Sequence, residues 1–169
     1  MNISMYQASA PRFARTLTQL AVILDKAQAH CEARKIDPLA LASFRLYPDM
    51  LPMTRQVQIA CDTAKGALAR LAGVDIPKHE DTEKTLVELK ERITKTLDFM
   101  KTIKPAQIDG TEEKDIMLKL GPNEVHFKGM DYLLGFAYPN FYFHVTTAYA
   151  MLRHNGVEIG KRDYLGPQT

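Results

Sequence analysis

His144 is the residue best placed to do chemistry. The chain has five histidines, at positions 30, 79, 126, 144 and 154. Only His144 sits in an aromatic segment, Phe141-Tyr142-Phe143. Asn140 lies four residues before it and Thr147 three after. Side chains at i and i+4 share a helix face, so Asn140 and His144 point together. An imidazole can act as a base near neutral pH or as a ligand for zinc or nickel. Gln58 and Asp62 make a second i, i+4 pair, beside an apolar stripe on another segment. Facing helices of bundles build interior sites from such pairs. On spacing alone, Gln58, Asp62, Asn140 and His144 form a pocket for a metal or a small molecule. The same four side chains equally make one buried polar network that satisfies itself.

The other reactive residue types have plainer readings. His30 and His154 fall near helix C-termini, where a cationic ring suits the dipole. His79 sits in a connection and His126 on a hairpin, without partners at ligand spacing. Cys31 and Cys61 fall on apolar stripes and read as small buried hydrophobes. Arg153, Lys161 and Arg162 form a small basic cluster that reads as solvated or salt-bridged. No P-loop, GxGxxG, GxSxG or HExxH motif is present.

Four helical segments must position these residues. The first runs from about Ala10 to Ala33, with Ser9 as cap and Pro11 in the first turn. Phe13, Leu17, Leu20, Leu24, Ala27 and Cys31 form its stripe. A loop over Lys35–Met53 follows, with one helical turn within Leu39–Phe44. Its Leu46 and Tyr47 are expected to pack back on the core. The second helix spans about Thr54–Ala72 and stops at Gly73. Val57, Cys61, Ala64, Leu68 and Leu71 are its core stripe.

After a connection containing Pro77, the third helix is expected from Asp81 to about Lys101. Leu86, Leu89, Ile93, Leu97 and Met100 face inward. Glu88, Lys90, Glu91, Arg92 and Lys95 read as its solvated face. Residues 116–120 and 124–127 read as a β-hairpin around Gly121-Pro122-Asn123. Gly129 closes the hairpin, and the fourth helix starts at Met130 or Asp131. Pro139 should kink it or delay its regular part. It ends at Asn155-Gly156, before a polar tail.

These elements predict an all-α fold, an antiparallel four-helix bundle with a small hairpin before the last helix. The 169 residues form one expected domain, 1–169, long enough for a full core. Lys plus Arg is 22 and Asp plus Glu 20, a balance that argues against a nucleic-acid partner. Two cysteines make neither a disulfide framework nor a four-cysteine zinc site. No export signal and no membrane-length apolar run is found, so a cytoplasmic protein without a membrane partner is expected.

The segment Gly135-Phe136-Ala137-Tyr138-Pro139-Asn140-Phe141-Tyr142-Phe143-His144, with Leu152-Arg153-His154-Asn155-Gly156, resembles a bacterial family of unknown function. Arg55-Gln56-Val57-Gln58, Ala60-Cys61-Asp62, Arg70-Leu71-Ala72-Gly73 and Gly160-Lys161-Arg162-Asp163-Tyr164 resemble it too. That family is similar to the DinB/YfiT-like metalloenzymes. The resemblance covers nearly the whole chain and implies a DinB-like bundle of the up-down-down-up type. It implies a divalent metal, zinc or nickel, held by one histidine of the second helix and an HxxxH pair of the last. His144 stands where the second histidine of that pair would be, eight residues before Leu152 and twelve before Gly156. The first would fall on Asn140 and the second-helix histidine near Gln58. Three functions follow as expectations. One is a bundle of unknown function whose degenerate pocket around His144 takes a small molecule. Another is a metal-dependent enzyme of the thiol-dependent transferase type. The third is a structural or partner-binding homodimer.

Overall fold

The computed structural model describes residues 3–167, apart from the side chain of Leu120. Residues 1–2 and 168–169, the ends of the expected domain, lie outside the described residues. The fold is mostly helical. Four long helices dominate it: α1 (Met5–Arg34), α3 (Met53–Ala72), α4 (Leu86–Thr102) and α7 (Tyr138–His154). Short helices fill the connections: α2 (Pro38–Ala42), α5 (Pro105–Ile108), α6 (Gly129–Asp131) and α8 (Lys161–Leu165). No helix among the described residues is long and apolar enough to cross a membrane.

The first helix begins earlier than its apolar stripe suggests. Ser4 is the cap, and its hydroxyl accepts the Gln7 amide while Gln7 reaches back to the Ser4 amide. This reciprocal box satisfies two donors that the helix start leaves unpaired. Ser9, the expected cap, is buried and donates its hydroxyl to the Met5 carbonyl at 2.6 Å. Pro11 therefore lies in the helix interior and removes one bond from the ladder. The third long helix begins later than expected. Asp81–Lys84 are not helical; Thr85 caps α4 in a box with Glu88. The acidic run is instead used in side-chain contacts.

α3 ends at Gly73, as its sequence predicts, in the left-handed conformation (φ 71°) that glycine adopts without a Cβ clash. Ala60, Ala64 and Ala67 are fully buried, letting another backbone come close. Phe13 of α1 packs edge-on against Tyr138 and Phe141 of α7, with centroids 5.3 and 4.8 Å away. Burying a phenyl ring of this kind contributes about 1.5–3 kcal/mol. Both cysteines are buried and free, as their places on the stripes predict.

The hairpin pairs β1 (Asp115–Leu120) with β2 (Asn123–Lys128), antiparallel, in the register Ile116↔Phe127 and Leu118↔Val125. Ile116 and Leu118 are buried while Met117 between them is exposed, the period of a half-buried strand. Phe127 carries the hairpin onto Tyr132 and Phe136. Before α7 the chain widens into a π-helical segment, Tyr132–Ala137. Pro139 has no N–H for the Gly135 carbonyl, which lies inside that segment. The regular helix is delayed to Tyr138.

Two surface expectations are overturned. Leu46 and Tyr47 do not pack back; they are 40% and 66% exposed. Arg92 is not on a solvated face; it is 1% exposed. Three carboxylates that lie around it explain how a guanidinium tolerates that burial.

Candidate functional site

α3 meets α7 along a seam that contains His144. Its Nδ1 lies 2.7 Å from Oε1 of Gln56. The Gln56 amide is oriented from its other end, where Nε2 donates to the Leu51 carbonyl at 3.1 Å. The oxygen therefore faces the ring, and Nδ1 must carry the proton. Nε2 is left with its lone pair and no protein partner among the described residues. Burial, and then the nearby Arg55 charge, hold His144 below the ordinary imidazole value. The ring is a neutral, tautomerically fixed acceptor. One turn earlier on α7, Asn140 donates from Nδ2 to Thr63 Oγ1 at 2.9 Å. Gln56 and Thr63 lie seven residues apart, two turns along one face of α3.

Gln58 and Asp62 lie on the face of α3 that meets α4. Gln58 accepts from Arg55 and donates to Glu83, both at 2.8 Å. Asp62 pairs with Arg92 at 2.8 Å and with Lys65 at 2.9 Å. Arg92 also reaches Asp81 and Glu83, each at 3.1 Å, and donates to the Glu80 carbonyl. Arg55 pairs with Asp81 as well. Burial opposes the Arg92 charge, but Asp62 and Glu83 outweigh it and raise its pKa. Burial likewise pushes Asp81 up, and Arg55 and Arg92 overcome it and hold the carboxyl below its usual range. Within this cluster Arg92 Nε, and close by His79 Nδ1, are buried without a partner.

The four side chains picked out by spacing are thus separated into three groups. His144 pairs with Gln56, Asn140 with Thr63, and Gln58 with Asp62 joins the charged cluster around Arg92. Gln56 is the seam residue that spacing missed. Its signal was present, since Gln56, Ala60 and Thr63 follow a helical repeat, but the pair Gln58 and Asp62 drew the reading one face around.

The donor set does not fit a divalent metal. A zinc or nickel centre of the kind the resemblance implies needs imidazoles, and the seam offers one. Carboxamide oxygen is a weak ligand for such ions. Asp62, the one carboxylate considered, is held by two cations on another face. Among the described residues no three His, Cys, Asp or Glu side chains gather closely enough to hold an ion. Cys61 supplies no thiolate; burial pushes its pKa up to about 12.

This mostly helical fold with one hairpin is similar to a crystal structure titled as a DinB family member protein from Shewanella denitrificans. Identity is 41%, over 96% of this chain and 92% of that one, with a TM-score of 0.88. The model of the family "Domain of unknown function (DUF1993)" matches residues 5–165, and the chain belongs to that family. No curated protein matches it.

Proposed function

We propose that this protein binds a small molecule at the α3–α7 seam, through a neutral His144 and without a metal. The observation that carries the reading is the Gln56 amide, anchored on Leu51 and fixing the proton on Nδ1. That arrangement presents Nε2 as an acceptor, so the ligand carries an N–H or O–H donor. Asn140 and Thr63 extend the polar lining along the same seam.

The frame we infer is an antiparallel four-helix bundle of the up-down-down-up type. Residue pairs support each direction. Tyr6 and Asp25 of α1 meet Asp109, at the end of the α5 turn that follows α4, and Lys90 near the start of α4, which supports opposed directions for α1 and α4. Gln56 and Thr63 meet His144 and Asn140, so α3 and α7 oppose. Arg55 and Asp62 meet Asp81 and Arg92, so α3 and α4 run the same way.

Two measurements test the binding reading. Untagged protein should purify with far less than one zinc or nickel per chain and fold the same with added metal. Stoichiometric metal that disappears in His144→Ala would overturn the metal-free site. Ligand-observed NMR with a library of small hydrogen-bond donors should find binders that lose their signal in His144→Ala. A library whose binders are all indifferent to that change would sink the seam as the site.

A further inference from the structure

A second site lies on another side of α7, where α1, α7 and α8 meet. A cleft of about 240 Å3 is lined by Arg12, Arg15, Thr16, Tyr142, Tyr164 and Leu165. No carboxylate lines it. Among the described residues Arg12 makes no hydrogen bond or ion pair with protein. Its charge is nonetheless felt by two phenols, where it opposes the burial that raises Tyr138 and Tyr142. Arg15 is held in place through one nitrogen, which donates to the carbonyls of Leu165 and Pro167 at 3.2 and 2.8 Å. The rest of its guanidinium is not used by these bonds. The nearest acid of α8, Asp163, is already paired with Lys26 and accepts from the Gly160 amide.

Arg12 and Arg15 are three residues apart on α1, so their side chains are neighbours on one helix face. Two cations brought together without a counter-charge repel, and the cleft between them is a favourable place for an anion. Guanidinium groups bind carboxylate and phosphate through paired hydrogen bonds. The Tyr164 hydroxyl lies 3.0 Å from Thr146 Oγ1, which fixes that ring as a wall. Tyr142 forms the other wall, packed edge-on against Tyr138 and Phe141.

We infer that this cleft binds a small aromatic anion, its carboxylate or phosphate on Arg12 and Arg15 and its ring between Tyr142 and Tyr164. The aromatic walls match a planar apolar body, and the volume suits a single ring. Nothing in this inference depends on the His144 seam.

Benzoate, phenyl phosphate and inorganic phosphate are the probes, each titrated into the whole chain and followed by NMR of the backbone amides. Benzoate or phenyl phosphate should shift amides around Arg12, Thr16 and Tyr164, with affinity that falls as salt rises. Arg12→Gln should weaken binding about tenfold, and Arg12→Lys should restore only part of it, because an ammonium lacks the planar fork. Arg12 is exposed, so both variants should keep the wild-type melting temperature. His144→Ala should leave this binding unchanged. Equal affinity in wild type and Arg12→Gln, or no shift with either aromatic probe, overturns the site. Inorganic phosphate binding as tightly as phenyl phosphate overturns the aromatic half of it.

Discussion

At the residue scale, two polar side chains behave unlike their neighbours in sequence. His144 is neutral because it is buried and because the Arg55 charge lies near it, while Gln56 fixes the proton on Nδ1. Gln56→Ala should cost about 1 kcal/mol of stability, measured in urea, and free the ring to take either tautomer. Nitrogen-15 NMR of the imidazole reads this directly, and a wild-type ring protonated on Nε2 would contradict the assignment. His79 is also held below its usual value, by burial first and then by Lys65 and Arg92. Unfolding lets both rings take up protons, so stability falls as pH drops below about 6.5. The loss should be complete once the pH has passed below the lowered folded values. His144→Gln should flatten that slope, and an unchanged slope would show that the ring is not held neutral. Arg92 has the opposite logic. Arg92→Met leaves Asp62, Asp81 and Glu83 gathered without their cation and should cost about 3 kcal/mol near neutral pH. Asp81 is depressed in the folded protein, so its share of the wild type's advantage should be present above about pH 4 and fade as its carboxyl protonates. A loss that persists undiminished into acid would point to packing instead of charge. The sequence could show Arg92 among the charges of a helix, but not that Asp62, Asp81 and Glu83 would gather to cover it.

At the element scale, local chemistry was legible where one residue decides the outcome. Gly73 ends α3 and the 121–122 turn closes the hairpin, because backbone sterics alone select those places. Starts of helices were harder to read, since Ser4 with Gln7 and Thr85 with Glu88 compete with nearer candidates such as Ser9 and Asp81. The π-helical turn before α7 was legible only as a disturbance around Pro139. Gly129 joins the hairpin to this helix for a steric reason. A Cβ there would run into the Thr111 carbonyl oxygen, on backbone that has no rotamer to move. Gly129→Ala should therefore destabilise by about 2 kcal/mol, as overpacking does. Gly135→Ala is the control, because open space surrounds that position. Equal melting temperatures for the two variants would show that the hairpin joint yields.

At the scale of the whole molecule, the proposed parallel course of α3 and α4 turns on one unusual connection. Arg55 and Gly73 are eighteen residues apart on α3, about 27 Å at the helical rise. Asp81 pairs with Arg55 again, only eight residues after Gly73. Eight residues span at most about 26–29 Å when fully extended. The side chains of Arg55 and Asp81 close part of that distance, and the connection runs back beside α3 along a non-helical path whose acids meet Arg55, Gln58 and Arg92. The apolar stripes could predict the four helices but carried no information on this return, because a stripe has the same period in either direction. Deleting exposed Asp75 should break the Asp81 and Glu83 contacts and cost about as much as Arg92→Met, about 3 kcal/mol. Inserting one glycine beside it should cost well under about 1 kcal/mol, since lengthening a loop is entropically mild. Urea denaturation of the two variants compares them on one scale. If the deletion is as mild as the insertion, the connection has slack enough to keep its acids on Arg55 and Arg92.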